Sequence, residues 1–227
     1  MRKHEIDDCV SVINSVIGFL LSSAPSWAAG GDAGAALRHD CGLLKAYAVN
    51  QVKDKSFAKS LYSCFEDVRL CGIDLPTMRN VLSKIEALTP VTLPGQLTVQ
   101  TAAIYALSEI SQIIAAMVFT ARDTVETVLA QMNDDFDGSE ESAADNNDQQ
   151  VYQALIALHA AVTNHLVRTA QPLPWMVSYF YRKTLPSLTL SQRIYGDGTH
   201  ADELRAENHV IHPAFMPMRG VALSPQN

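Results

Sequence analysis

The sequence predicts a mainly α protein, a multi-helix bundle followed by a small α+β module. Apolar residues make up 48% of the chain and recur at three- and four-residue spacing through most of residues 5–170, the period of helices with one buried face. The breaks in that pattern carry helix punctuation, with Pro in first turns and Gly after last ones. Over residues 191–217 the texture changes, and aromatics, three His, a Gly-flanked Asp and two Pro crowd into 27 residues. We therefore expect a helical body over 1–172 and a C-terminal module over 173–227.

The body divides as follows. A first helix from about Glu5 to Ser23 places Ile6, Val10, Ile13, Ile17, Leu20 and Leu21 on one face. Its basic start and Ala-rich end resemble a signal peptide. Glu5, Asp7 and Asp8 stand where such a peptide needs positive charge, so an ordinary helix is expected. After the loop APSWAAGGDAG, a second helix opens near Asp32. Phe57, Leu61, Phe65 and Val68 stripe a third, which Cys71-Gly72 stops. Asp74 to Pro76 begins a fourth, which ends at Thr89-Pro90, and VTLPGQLT reads as a linker. One long helix is expected over 97–132, apolar round more than half its circumference and so central to the bundle. An acidic segment at 133–148 reads as a flexible connection to a last long helix beginning at QQVYQAL.

Charge excludes some function classes. The net charge of −7 is local, because residues 133–148 hold seven acids and no Lys or Arg, and the remaining 17 acids balance 17 bases. A balanced chain without a basic stripe is not expected to bind nucleic acid nonspecifically. Asn133, Asp135, Asp137 and Gly138 match the first half of a calcium loop. Ala144 stands where that loop needs its bidentate carboxylate, and Glu140 where it packs an apolar side chain, so no calcium is expected. Cys9, Cys41, Cys64 and Cys71 have no chelating spacing and read as buried free thiols. No run reaches the roughly 18 apolar residues of a membrane span.

A catalytic reading finds little to build on. GxSxG, a phosphate loop, HExxH and GxGxxG are all missing. His159 and His165, six apart, fall on different helix faces. His200, His209 and His212 with Asp197 form the one plausible metal constellation, at spacings unlike those of structural zinc sites. Glu203 and Glu207 read as a solvated helix face. The chain is read as a non-enzyme without cofactor or metal.

In the C-terminal module, LPSLTLSQRIYGD reads as an extended lead followed by a short helix. Leu188, Ile194, Leu204 and Leu223 are the expected core, with Leu190 and Tyr195 also available. Gly196 and Gly198 break the first helix, Thr199 is placed to cap the second, and Asn208 to end it in the left-handed conformation. Asp202 and Glu203 lie in the second helix's first turn, where carboxylates suit the helix dipole. GVALSP closes the module as a short strand.

This order resembles a LysM domain, whose second helix ends in Leu-x-x-x-Asn, here Leu204 to Asn208. The following Ile211 and Pro213 and the closing Gly220-x-x-Leu223 fit the same pattern. More closely, over about 35 residues the chain is similar to the end of the DNA circularisation proteins of Mu-like contractile-tailed phages. The matching residues are Arg193 to Asp197, Asp202 to Leu204, Asn208, and His212 to Phe215. The resemblance implies a structural tail or baseplate component, located in the virion and in the host cytoplasm during assembly. Its implied partners are tube, hub or wedge subunits and further copies of itself, in a ring near the tube–baseplate junction. Arg193, Tyr195, Asp197, Asn208, His212 and Phe215 are the candidate interface residues. Two alternatives accompany this reading: a DNA-end-binding protein, after the family name, and a peptidoglycan-binding protein, after the LysM class. The Gly-Asp-Thr-Leu that usually opens the first LysM helix is absent, and YGDGTH falls in the inter-helix turn instead, so protein docking is expected over carbohydrate binding.

Overall fold

A computed structural model describes residues 1–145 and 149–224. It is 72% helix with one two-stranded antiparallel sheet, which makes the mainly α class a plain structural fact. The chain divides into two compact units, the first comprising Met1–Met117 and Gln131–Thr163 and the second Val118–Ala130 and Asn164–Asn227.

Unit 1 begins with α1 (Lys3–Ser23), a 3-10 turn (Ser26–Gly30) and α2 (Asp32–Lys53). The acidic N-terminal residue Glu5 does local work: its carboxylate accepts the Arg2 amide at 2.6 Å, capping α1. By length and composition α1 could cross a membrane; within unit 1 its Ile6, Cys9, Val12, Ile13, Val16, Ile17 and Leu20 are buried, and it packs on α2 and on helices introduced next. These are α3 (Phe57–Leu70), α4 (Leu75–Glu86) and α5 (Leu93–Ala116). The expected stripe on α3 is buried at Leu61, Phe65 and Val68, and Gly72 (φ 80°) ends the helix in the left-handed conformation. Asp74 caps α4 by accepting the Thr77 amide, with Pro76 in the first turn.

The segment read as a linker is already helix: Thr92 caps α5 at Gly95, and Pro94 sits in its first turn. Asp8 on α1 holds this start in place, accepting the Thr92 amide at 2.8 Å and hydroxyl at 2.6 Å. α5 packs on α1, α3 and α4 and is the central helix of the unit. Its fully buried Glu109 accepts from Arg69 of α3, a pairing that compensates a buried charge.

The single long helix expected over 97–132 is two helices. α5 stops at Ala116, Met117 turns extended (ψ 142°), and α6 starts at Arg122 and runs to Asp145. Phe119 and Ala121 are buried in the intervening stretch, and the Arg122 amide bonds the Pro174 carbonyl. Tertiary burial and hydrogen bonding here override a local sequence that would continue the helix.

The acidic segment is corrected too. Residues 133–145 are the second half of α6, while Asp148 lies outside the described residues. Arg79 of α4 binds Asp135 through two nitrogens, at 2.6 and 2.8 Å. Phe136 is fully buried and stacks on His159 of α7 (Gln149–Ala170), with ring centroids 4.7 Å apart. The same imidazole bonds Glu140 and Asn133 on α6. Asn133 and Asp135, two of the residues matching the calcium loop, are thus engaged in helix–helix contacts.

Unit 2 takes the first part of α6, the end of α7, β1 (Met176–Phe180), α8 (Ser187–Tyr195), α9 (Ala201–Glu207) and β2 (Arg219–Leu223). It is larger than residues 173–227 because β1 is tied to the start of α6. Asp123 accepts the Met176 amide at 2.7 Å, and the Arg122 guanidinium lies 4.4 Å from the Trp175 ring centre. β1 and β2 pair antiparallel with Met176 opposite Leu223 and Phe180 opposite Arg219. An isolated bridge between Leu185 and Met216 extends the ladder beyond the strands. β1 lies in WMVSYFYRK, where the sequence reading placed no element, although its aromatic and β-branched content fits a strand.

Candidate docking module

The chain order β1–α8–α9–β2 encloses a small core of Leu185, Leu190, Leu204, Met216 and Ala222, with Tyr179, Tyr181, Ile194, Tyr195 and Val210 packed around it. On α8 the inward positions are Ser187, Leu190, Ser191 and Ile194, three and four apart. Leu188, expected in the core, therefore points outward and is 65% exposed. Of the other expected core residues, Leu204 and Leu223 are buried and Ile194 is half-buried.

Asn208 is the central fastening. Its amide nitrogen donates to the carbonyls of Leu204 and Val221, both at 2.7 Å, and its oxygen accepts the Val221 amide at 2.8 Å. One side chain thus pairs with the outer edge of β2 as a neighbouring strand would, and joins it to the last turn of α9. Gly220 makes this approach possible, because a Cβ there would collide with the Asn208 oxygen and the Tyr179 hydroxyl. Asn208 does not end α9 in the left-handed conformation (φ −99°). His209 does (φ 52°), with the Val210 amide closing on Arg205 and the His209 amide on Ala206, a Schellman pattern.

Tyr195 fastens the other end. Its hydroxyl donates to the Leu223 carbonyl at 2.8 Å, and its ring lies against His200. Burial, with Glu203 nearby, pushes this phenol up to about 12. Asp197 organises the inter-helix turn by accepting the Thr199 amide at 2.9 Å and hydroxyl at 2.6 Å, and these bonds hold its carboxyl below the usual range. Thr199 is therefore a turn residue rather than the expected cap; His200 occupies the cap position, without a side-chain cap bond. Gly196 (φ 86°) ends α8, as its place in the sequence suggested.

The six candidate interface residues thus fall into two groups. Tyr195, Asp197 and Asn208 build the module. Arg193, His212 and Phe215 remain on the surface, with the Arg193 guanidinium 5.7 Å from the Tyr181 ring centre and the His212 ring tilted against Phe215, centroids 5.1 Å apart. The α9–β2 loop carrying His212 and Phe215 runs beside the β1–α8 loop, joined by Ser187 to Pro213, Met216 to Leu185 and Tyr181 to Met218 backbone bonds. The module exposes four large apolar side chains, Ile211 (96%), Phe215 (66%), Leu188 (65%) and Phe180 (60%), while Trp27, Val91 and Val118 are comparably exposed elsewhere in the chain. That density on so small a module is a surface suited to a partner.

Among the described residues, no group of three or more His, Cys, Asp or Glu is placed to hold a metal ion. His200 bonds Glu203, while His209 and His212 lie in the turn after α9 with the surroundings given above. All four cysteines are free and buried, as their apolar contexts suggested. No protein-family model matches the chain, and no curated protein matches it either.

Proposed function

We propose that the protein is a structural assembly component of a contractile phage tail, docking neighbouring tail proteins through its C-terminal module. The observation that carries this is the construction of the module. Tyr195, Asp197, Leu204 and Asn208, all within the phage-tail resemblance, hold a strand–helix–helix–strand unit together, while apolar side chains such as Ile211 and Phe215 are left at the surface. That chain order, the Leu204-x-x-x-Asn208 helix end and the Gly220 approach support a LysM-like identity for the module. Assembly into a ring near the tube–baseplate junction, with tube, hub or wedge subunits as neighbours, fits a surface of this kind.

DNA-end binding draws less support. The cations of unit 2 are largely offset, seven basic against six acidic residues, and Arg122, Arg193 and Arg219 already lie over aromatic rings. The test is mass spectrometry of purified tails after chemical cross-linking. The expected result is the chain present in tails, with cross-links from residues 181–218 to another tail protein. Its absence from tails, together with retention on insoluble peptidoglycan or on duplex DNA ends, would replace the reading with the corresponding alternative.

A further inference from the structure

Unit 1 carries an open groove of about 520 Å³ between the end of α4, one face of α5 and the second half of α6. Leu88, Val99 and Ala103 contribute apolar lining, and Glu86 of α4 and Asp134 of α6 contribute carboxylates. Gly138 leaves the α6 wall low, since a Cβ there would meet only the Glu86 carboxylate, at 3.8 Å. Arg79 of α4 is engaged by Asp135, and its charge also reaches Asp134 without forming an ion pair with it. Among the described residues neither Glu86 nor Asp134 is in an ion pair. Partial desolvation and the charge of Asp135 push the Glu86 carboxyl up.

The complementary charge is on unit 2. Unit 1 holds 18 acidic and 10 basic residues, whereas unit 2 holds six and seven. In the β1–α8 loop, Arg182 and Lys183 are exposed side by side. The loop is held on one side by the Tyr181–Met218 backbone bond and on the other by the Leu185–Met216 bridge, so the two cations project from a fixed base. Neither is in an ion pair among the described residues.

We propose that the acidic groove of one copy receives the Arg182–Lys183 tip of a second copy. This rests on the assembly reading and names one partner within it: the chain itself. Because the two surfaces differ, the contact is heterologous and repeats from copy to copy, the kind that builds rings or filaments. Its charges are at the rim, so association is expected to weaken with salt.

The test is sedimentation velocity on the full chain, with helical circular dichroism as the check on folding. Wild type is expected to associate at low salt and to dissociate at about 0.5 M salt. A groove variant (Glu86→Lys with Asp134→Lys) and a tip variant (Arg182→Glu with Lys183→Glu) should each self-associate at least about tenfold more weakly. Mixed one to one, they should form a dimer and stop, because each retains the face the other lacks. Gly138→Lys provides the independent arm. It replaces a helix-interior Gly, so the fold should melt no lower than wild type, yet it fills the groove with an internal cation and should leave monomers. Wild type that is monomeric at every salt concentration would overturn the proposal, as would a mixture that stays monomeric. Variants that associate as wild type does would overturn it while leaving the assembly reading standing, since copies would then meet through another surface.

Discussion

Replacing Asn208 with Ala should selectively unfasten the C-terminal module. The substitution removes three hydrogen bonds, at 2.7, 2.7 and 2.8 Å, and leaves the Val221 amide and carbonyl without their partner. At about 1 kcal/mol net for each bond, the loss is about 3 kcal/mol; Val221 is half-buried, so water recovers part of the bonding and keeps the figure from rising further. Trp175 reports on this region because it pairs with Ser224 beside the sheet, and Trp27→Phe removes the tryptophan of unit 1. In urea, with a slope of about 1.5 kcal/mol/M for a small unit, the Trp175 fluorescence transition should move down by about 2 M. Hydrogen exchange at the Val221 amide should accelerate in parallel. Leu188→Ala, at a position 65% exposed, serves as the control and should shift stability by no more than about 0.5 kcal/mol. An Asn208→Ala transition that coincides with the control would refute the fastening role and the geometry from which it was argued.

Four further outcomes follow from named contacts. Arg69→Ala strands the fully buried Glu109 and should cost unit 1 about 3–5 kcal/mol. Burial already raises the Glu109 carboxyl, so the variant should recover stability as pH falls and that group takes its proton, as denaturation at pH 7 and pH 5 would show. Asp8 is held below its ordinary value by Thr92, so its contribution is present above that value and is lost as pH falls through the lowered one. Asp8→Asn should cost about 1–2 kcal/mol at neutral pH and flatten this part of the acid-denaturation curve. His209→Gly relieves a left-handed non-glycine residue and should raise the stability of unit 2 by about 1 kcal/mol, read from the same Trp175 transition. Thiol titration should find no fast-reacting cysteine in the native protein and four after unfolding.

The first four helices were legible because their signals are local: an apolar stripe, a capping Asp, a Pro in the first turn, a Gly at the end. Where the sequence reading failed, the deciding interaction was distant in the chain. Nothing near residue 117 marks the break after α5, which goes with burial of Phe119 and Ala121 and a bond from Arg122 to Pro174. Residues 133–145 are acidic enough to suggest a solvated connection, yet Arg79, 56 residues away from Asp135, and His159 hold them as helix.

The candidate module was legible in outline and mistaken in detail for related reasons. Asn208 and Gly220 were singled out as parts of a pattern, and the structure gives both a physical purpose in one contact. Leu188 was assigned inward because it is apolar, whereas the register of α8 is set by Ser187, Leu190 and Ser191. The two small buried serines carry no hydrophobic signal. Ser191 donates to the Asp197 carbonyl, which the sequence alone could not reveal. Arg182 and Lys183 went unremarked as a tip because two adjacent cations are ordinary in a loop; that neither is in an ion pair among the described residues is a feature of the fold.

If the C-terminal module docks the protein into a tail, as proposed, a substitution on its surface should keep the chain out of the tail. Phe215→Asp with Ile211→Asp changes two exposed side chains that support no internal contact of the core, so the chain should fold with unchanged helical dichroism. Quantitative mass spectrometry of purified tails should then show the wild-type chain at a fixed ratio to the tube subunit and the variant depleted at least tenfold. Equal incorporation of the two would contradict docking through this module.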